Sequence, residues 1–392
     1  MEPLPPGSNL EGTTLEGPTL KGTTILQVLP RLHTGGVERG TVEIVAAITV
    51  AGGRALVASE GGRMAAFVER AGGRHVLLPL ASKSPFGIWR NAGRLARLVR
   101  QEGVGILHAR SRAPAWAAWL ASRRTGVRFV TTYHGVYNEG APGKRWYNGV
   151  MARGDRVIAI SQYVADLIAA RHGVEPARLR VIPRGVDPVL FNPERIAPDR
   201  MARLLQAWRV PDGVPVVMLP GRLTRWKGQG VLLDAMARLR HPDAVAVLVG
   251  DGRPGYAREL ERRAHALGIG ERVRLAGHCE DMPAALMLAA VAVSASTEPE
   301  GFGRAVIEAQ AMGVPTIVSD HGGAAETVDH LVTGWRVPPG DADALAAAID
   351  HALGMGSEDL AALAERSRAS VLARYTTAAM QAATLDVYRE LL

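Results

Sequence analysis

The sequence has little of three things that restrict function: cysteine, aromatic side chains and long apolar runs. There is one cysteine in 392 residues, Cys279, so an internal disulfide is excluded and a reducing compartment is expected. Aromatic residues make up 5% of the chain, and no apolar run is long enough to predict a transmembrane helix. The first residues lack the pattern of a secretory signal. We therefore expect a globular cytoplasmic protein.

Charge is distributed unevenly along the chain, whose formal net charge is +8. Residues 1–195 hold 26 Lys and Arg against 14 Asp and Glu (26 − 14 = +12), whereas residues 196–392 hold 20 against 24 (20 − 24 = −4). A basic first half favours an anionic partner, either membrane lipid, lipopolysaccharide or nucleic acid. An arginine-rich genome would give the same count without a partner. We find no interleaving of aromatic and basic residues along the sequence, and therefore expect no nucleic-acid partner.

The length of the chain and the alternation of predicted strands and helices predict two domains. Residues 1–22 are polar, with a TLEG/TLKG repeat, and are predicted to be disordered. From Thr24 onward, continuously apolar strands alternate with amphipathic helices, which predicts α/β domains with parallel sheets covered on both faces. Four prolines from Pro183 to Pro198 interrupt this alternation before a second series begins. The predicted segments are a first domain at 23–187, a linker at 188–198, a second domain at 199–374 and a final helix at 375–392.

The stretch from Ser294 to Pro315 carries the most informative pattern. Its core, EGFGRAVIE, has a glycine-rich turn with a carboxylate on each side, Glu300 and Glu308. The turn is predicted to join a buried strand to a helix, whose first amides suit a phosphate. Two acids beside a phosphate would repel it, so they are predicted to accept hydrogen bonds from hydroxyls. Hydroxyls on both sides of a phosphate indicate a nucleotide-sugar, although an ordinary strand–turn–helix with surface acids would look the same.

A second motif, GRLTRWKG at 221–228, follows the first predicted strand of the second domain. Arg222 and Lys227 are expected where a diphosphate would lie, one as a planar fork and one as a point charge. A solvated basic loop is the alternative for this motif taken alone.

Two motifs of the first domain also follow predicted strand ends. In HTGGVERG, 33–40, Gly35 and Gly36 allow the backbone to approach a ligand closely before a helix begins. In TTYHGVYN, 131–138, His134 lies just past a strand end. Because two doubly wound domains bind ligands at the carboxyl ends of their strands, we expect the site in the cleft between the domains.

Taken together, these motifs resemble those of retaining glycosyltransferases of family GT4, which have the GT-B fold of two Rossmann-like domains facing each other across a cleft. The resemblance covers Thr24 to the end of the chain. It implies same-face transfer of a hexose from a nucleoside-diphosphate sugar to an acceptor hydroxyl. No DxD-type or His/Asp cluster stands out in the sequence, so no metal or other cofactor is expected. The resemblance also implies that the final helix crosses back to the first domain. The implied catalytic residues are Glu300, His134, Arg222 and Lys227, and the implied donor-binding residues are Gly35, Gly36, Gly250, Gly252, Gly301, Phe302, Gly303 and Glu308.

The acceptor is expected in the first domain. The stretches SKSP, HARSRAPAW, TTYHGVYN and KRWYN resemble a subgroup that builds lipopolysaccharide core, which suggests a lipopolysaccharide-core or other lipid-linked acceptor. Peripheral attachment at the anionic inner face of the plasma membrane would then bring enzyme and acceptor together. The predicted acceptor-binding residues are Arg110, Arg112, Lys144 and Arg145.

Two other functions stay open: a sugar-nucleotide epimerase of the same fold, and a non-catalytic protein that binds sugar nucleotides. An epimerase would turn over without an acceptor, and a binding protein would transfer nothing. The sequence departs from the family pattern at Arg304, where an aliphatic residue is usual after EGFG. The identity of the donor is therefore the least determined part of the hypothesis.

Overall fold

A computed structural model of the chain describes residues 19–33 and 35–392. The chain divides into two units. The first unit runs to Arg184 and resumes at Thr377–Leu392, and the second unit is Gly185–Thr376. Of the segment 1–22 predicted to be disordered, residues 1–18 lie outside the described part. Leu20 is described and is 1% exposed, within the apolar core of the first unit.

The first unit is built on a seven-stranded parallel sheet with the strand order β3-β2-β1-β4-β5-β6-β7. The central strands are mostly apolar and almost entirely buried because helices cover both faces of a parallel sheet. β1 is buried at all five positions, for example. The strands are β1 Thr24–Val28, β2 Arg54–Ser59, β3 Arg74–Leu77, β4 Val104–Ala109, β5 Arg128–Tyr133, β6 Arg156–Ala159 and β7 Leu179–Val181.

Helices connect these strands, and the sequence sets their limits. The third helix begins after Ser84, whose hydroxyl accepts a hydrogen bond from the Gly87 amide, and it has Pro85 in its first turn. It ends at Gly103, which has the left-handed conformation that favours glycine. The helices of this unit are α1 Gly36–Val50, α2 Ala65–Arg70, α3 Pro85–Glu102, α4 Arg112–Thr125, α5 Lys144–Asn148 and α6 Gln162–His172, with α15 Thr377–Arg389 at the end of the chain.

The second unit has a six-stranded parallel sheet with the strand order β10-β9-β8-β11-β12-β13. The predicted α/β class with two doubly wound sheets is confirmed. The sequence pattern did not predict β7 and β13, which each lie at one edge of a sheet. Each has three residues, too few to show a periodic pattern. The strands of this unit are β8 Val216–Pro220, β9 Val245–Val249, β10 Val273–Gly277, β11 Val291–Ser294, β12 Thr316–Ser319 and β13 Trp335–Val337.

Helices of the second unit lie on both faces of its sheet and enclose a core of Val, Leu, Ile and Ala side chains. Across the described part of the chain, no helix combines the length and apolar character needed to cross a membrane. The helices are α7 Pro198–Trp208, α8 Gln229–Met236, α9 Pro254–Ala266, α10 Met282–Met287, α11 Arg304–Ala311, α12 Gly322–Ala325, α13 Ala342–Leu353 and α14 Ser357–Arg374.

Candidate active site

Each sheet has one point where the strand order reverses. In the second unit this point lies between β8 and β11, which are neighbours in the sheet although β9 and β10 separate them in the chain. The loops after β8 and β11 lead to helices on opposite sides, which opens a crevice at the carboxyl ends of these two strands. The sequence places GRLTRWKG after β8 and STEPEGFG after β11, so both motifs meet at this crevice.

The centre of the crevice is an ion pair between the two motifs. Lys227 Nζ donates a hydrogen bond to Glu300 Oε2 at 2.7 Å. The other carboxylate oxygen, Oε1, accepts from the hydroxyls of Ser294, at 3.2 Å, and Ser296. The side chains of Lys227 and Glu300 are 19% and 10% exposed, so the pair is shielded but reachable. Three protein donors therefore hold the Glu300 carboxylate in one orientation.

A close backbone approach brings Lys227 to this position. Gly228 has φ of +75°, and a Cβ built there would stand 1.7 Å from the carbonyl oxygen of Ala295. Only glycine allows the turn after Lys227 to lie against the end of β11. The Thr297 amide also donates to the Trp226 carbonyl oxygen at 2.7 Å. The glycine of the KG dipeptide thus fixes the distance between the cation and the acid.

The EGFG turn is held from behind by the loop after β12. Gly322 has φ of +67°, and a Cβ there would stand 2.7 Å from the Glu300 carbonyl oxygen, which accepts a hydrogen bond from the Gly323 amide at 2.8 Å. Phe302 is 8% exposed and meets the ring of Tyr375 edge-on at 5.6 Å. Phe302 is therefore an apolar anchor of the turn, and α11 begins after Gly303, its N-cap residue, without a side-chain cap hydrogen bond.

The second acid of the motif is paired within its own helix. Glu308 is 9% exposed, and its Oε1 accepts a hydrogen bond from Arg304 Nε at 3.1 Å, one helical turn earlier. Arg304, the departure from the family pattern, thus places a cation at the start of α11 beside the predicted phosphate position. Arg304 therefore adds positive charge at the end of α11 where the helix dipole is already positive.

Arg222, Gly250 and Gly252 belong to neighbouring loops after β8 and β9. The Arg222 side chain is exposed, whereas its carbonyl oxygen accepts from Gln229 Nε2 at 3.0 Å. A Cβ at Gly250 would stand 2.3 Å from the Gly221 carbonyl oxygen, and one at Gly252 would stand 2.3 Å from Leu223 Cβ. These glycines let the two loops pack together. Packing therefore requires glycine at both positions, independently of any ligand.

The predicted residues of the first unit lie around its own reversal point, between β1 and β4. Gly35 precedes α1, where a Cβ would stand 2.5 Å from Glu38 Oε2, and Gly36 has open space around it. Arg110 is 2% exposed, and its Nη1 donates to Gln27 Oε1 at 2.6 Å. His134 lies just past β5, with Nδ1 at 2.5 Å from Arg184 Nη2.

The remaining acceptor candidates surround α5. Arg112 donates to Asn148 Oδ1 at 2.9 Å, and its guanidinium carbon lies 4.3 Å from the centre of the Tyr137 ring. Lys144 and Arg145 are exposed, and Arg145 Nε donates to the Arg171 carbonyl oxygen at 3.0 Å. The four candidates therefore differ: Arg110 is enclosed, Arg112 is held in place, and Lys144 and Arg145 face solvent.

Sequence reasoning missed the two serines on Glu300 and the arginine on His134. Ser294 is the last residue of β11 and Ser296 follows two residues later, and this two-residue spacing in an extended stretch could have indicated that both point to one side. Arg184 lies 50 residues from His134 and gave no local signal. In the described residues, no group of three or more His, Cys, Asp or Glu side chains is placed to hold a metal ion.

Comparison with known proteins identifies the family. The profile described as glycosyl transferases group 1 matches residues 202–370, and the profile described as glycosyltransferase family 4 matches residues 34–190. A solved glycosyltransferase from Rickettsia africae has 34% identity and a TM-score of 0.86, covering 94% of this chain and 98% of that one. The chain therefore belongs to the family 4 glycosyltransferases and has the GT-B fold.

Two curated relatives extend this comparison. A D-inositol 3-phosphate glycosyltransferase from Jonesia denitrificans is 32% identical over 65% of each chain. A GDP-mannose-dependent alpha-(1-6)-phosphatidylinositol monomannoside mannosyltransferase from Mycolicibacterium smegmatis is 32% identical over 67% of this chain and 70% of its own. These names differ from the lipopolysaccharide-core subgroup suggested by the sequence, which stays a prediction.

Proposed function

We propose that the protein is a retaining glycosyltransferase that moves a hexose from a nucleoside-diphosphate sugar to an acceptor hydroxyl, and that the second unit binds the donor. The observation that carries this proposal is the Lys227–Glu300 pair, which lies where β8 and β11 end and beside the start of α11. A cation, a fixed carboxylate and the N-terminal end of a helix at one place suit a ligand that has both phosphate and hydroxyl groups.

The donor would use these groups in different ways. The Lys227 ammonium has three donors and gives one to Glu300, so it can also bind a diphosphate oxygen. Glu300, oriented by the two serines, would accept hydrogen bonds from hydroxyls of the hexose and so orient its anomeric carbon. Glu308 would accept from the ribose hydroxyls. Arg222, which is exposed at the same edge, would add a bidentate contact to the diphosphate.

We propose a reaction with retention of the anomeric configuration. The bond between the anomeric carbon and the diphosphate oxygen breaks, and a bond from the acceptor oxygen to the same carbon forms on the same face. The acceptor proton goes to the leaving phosphate. Lys227, Arg222 and the amides from Gly301 to Gly303 would stabilise the negative charge that grows on the leaving group. These residues supply the charge stabilisation, and we propose that transfer requires no metal ion.

The acceptor is proposed to carry phosphate. Lys144 and Arg145 are exposed on α5, next to the Arg112 that Asn148 and Tyr137 hold in place. The names of both curated relatives specify an inositol that carries a phosphate group, which supports this class of acceptor. A lipopolysaccharide-core acceptor, also rich in phosphate, is the second candidate, supported by the resemblance of the first-domain motifs.

We further propose that an aromatic and basic patch on the first unit attaches the protein to an anionic lipid bilayer. Phe86 and Trp89 are 66% and 59% exposed at the start of α3, with ring centres 6.4 Å apart. The guanidinium groups of Arg90 and Arg124 lie over these rings at 5.7 and 5.9 Å. Residues 83–153 hold 13 Lys and Arg against 2 Asp and Glu. Interfacial aromatics surrounded by arginines suit a negatively charged membrane surface.

A donor panel tests the proposed transferase. Thermal stability is measured with UDP-, GDP- and ADP-sugars, because a bound donor stabilises the folded protein. The donor that binds is then incubated with a phosphoinositol and with a deacylated lipopolysaccharide core, and the anomeric configuration of the product is assigned by NMR. Transfer with retention supports the proposal. Epimerised donor without an acceptor, or binding without any transfer to a broad acceptor panel, overturns it.

Vesicle sedimentation tests the attachment. We expect binding to vesicles with anionic lipid, weak binding to neutral ones, and a several-fold loss for the double variant Phe86→Ser/Trp89→Ser. The matched control is Leu331→Ser/Val332→Ser, which removes exposed apolar side chains from the second unit (69% and 50% exposed). Equal binding of both double variants, or equal binding to both vesicle types, would refute the attachment.

A further inference from the structure

The contact between His134 and Arg184 determines which nitrogen of the histidine carries hydrogen. Nδ1 of His134 lies 2.5 Å from Nη2 of Arg184. A guanidinium group stays protonated in proteins and has donors only. His134 Nδ1 must therefore be the acceptor of this hydrogen bond, and the hydrogen of the neutral ring lies on Nε2.

The fold keeps this contact in place. Arg184 is 7% exposed and lies against α1, where a Cβ at Gly40 would stand 2.6 Å from Nη1. A larger residue than glycine at position 40 would displace the guanidinium group. Arg184 Nη1 also meets the sulfur atom of Met380 on α15 at 3.8 Å. Contacts with α1 and α15 therefore position the guanidinium group that faces His134.

The charged surroundings keep the His134 ring neutral. Burial and the positive charges of Arg184 and Arg110 hold the pKa of His134 well below its ordinary value. His108 adds to the same effect, and it is itself enclosed between the Tyr388 hydroxyl and the Thr132 hydroxyl, each at 2.7 Å. Burial lowers the pKa of Arg110, and the Tyr388 hydroxyl and the carboxylate of Glu43 on α1 oppose this effect only in part.

The other nitrogen of the ring is set apart for a further contact. His134 Nε2 is shielded from solvent and has no hydrogen-bond partner among the described residues. A shielded N–H without an acceptor costs free energy unless a ligand or water satisfies it. A neutral Nε2–H group can donate to an oxygen atom, and it cannot accept a proton at that nitrogen.

We propose that Arg184 is a positioning residue that holds His134 in the Nε2–H form, so that His134 donates a hydrogen bond to a hydroxyl oxygen of the sugar substrate. The assignment of a sugar hydroxyl as the partner of His134 Nε2–H rests on the proposed transferase function. The assignment of the tautomer rests on the structure of the first unit alone. His134 is accordingly a donor in the reaction and is excluded as its general base.

The tautomer can be measured directly. The full chain is labelled with ¹⁵N-histidine, the His134 signals are assigned from their loss in His134→Gln, and long-range ¹H–¹⁵N correlation spectra are recorded from about pH 5.5 to 8, the range of ordinary histidine titration. We expect the Nε2–H pattern throughout in the unaltered protein. An Nδ1–H pattern, or protonation of the ring within this range, overturns the proposal without any change at Arg184.

Two variants separate positioning from a merely structural role. Arg184→Lys still donates to Nδ1 and should keep the Nε2–H pattern, whereas Arg184→Met should give mixed tautomers and a raised His134 pKa. Below that raised pKa both nitrogens carry hydrogen, so the loss of kcat in Arg184→Met should be smaller at low pH than at high pH. The same loss at every pH, or mixed tautomers in Arg184→Lys, contradicts the proposal.

The spectra test the tautomer of His134 and the assays test the transferase function, so either proposal can be wrong without the other. If the donor panel yields no transfer while the Nε2–H pattern is seen, the proposed function is wrong and the tautomer assignment stands. If transfer occurs and the pattern is Nδ1–H, only the role of Arg184 is wrong.

Discussion

The sheets of the two units share one strand order, to which the first unit adds β7, but the charges at their reversal points differ. In the second unit a lysine is matched with an acid, Lys227 with Glu300, and both side chains remain partly accessible. In the first unit two arginines, Arg110 and Arg184, are almost fully buried, and the partners of their guanidinium groups include the neutral side chains Gln27 and His134. A Rossmann-like sheet thus provides a place for a ligand, and the side chains at its strand ends decide which chemistry is possible there.

The largest effect is expected from removing the balanced pair of the second unit. Glu300→Gln loses a charged acceptor for hexose hydroxyls, and Lys227→Ala loses the cation that stabilises the leaving diphosphate. Each should lower kcat/KM by about 10²-fold or more. The measurement is a steady-state transfer assay, with circular dichroism to show that the fold is kept.

Neighbouring charges provide the controls for this pair. Glu298→Gln changes an exposed acid two residues away, and Arg225→Ala removes a cation of the same turn that pairs with Glu259. Both should retain transfer within a few-fold. Full activity in Glu300→Gln or Lys227→Ala would contradict the assigned roles and the contrast between the two units.

An intermediate effect is expected on stability, since the second unit depends on a close approach that only glycine allows. Gly228→Ala should lower the free energy of unfolding by about 3 kcal/mol or more, from backbone strain plus a clash with the Ala295 carbonyl oxygen. Gly268 has a similar φ of +72° and open space around it, so Gly268→Ala measures the strain alone, about 1 kcal/mol. Equal losses in urea denaturation would show that the close approach is unimportant.

The smallest effect is expected at Arg304. Arg304→Leu restores the aliphatic residue usual in the family and leaves Glu308 without this cation, close to an anionic donor. The KM for the donor should rise by about 3- to 10-fold, while kcat changes little. Arg336→Leu, which removes an arginine paired with Asp320 in the same unit, is the control. A lowered donor KM in Arg304→Leu would mean that Arg304 competes with the donor for Glu308.

Several features of the site escaped prediction because their partners are distant in sequence. Arg124 on α4 stacks on the ring of Trp89 on α3. Because these residues are far apart in the chain, no local pattern of aromatic and basic residues predicts the contact. Arg110 was predicted to bind an acceptor from its place after a strand, and the structure encloses it beside Gln27 of β1. Residues at strand ends could be found from pattern alone. Their depth and partners could not, because both depend on which strands are neighbours.

The sequence by itself determined the two α/β domains, the succession of their main strands along the chain and the placing of Glu300, Lys227 and His134 at strand ends. Apolar periodicity and glycine-rich turns are local properties, and they can be recognised without knowing any contact. Only the tertiary structure decided that Lys227 meets Glu300, that two serines orient this acid, and that Arg184 fixes the hydrogen of His134. The reason is physical: parallel sheets bring together residues that are far apart in the chain, and hydrogen bonds form by distance in space.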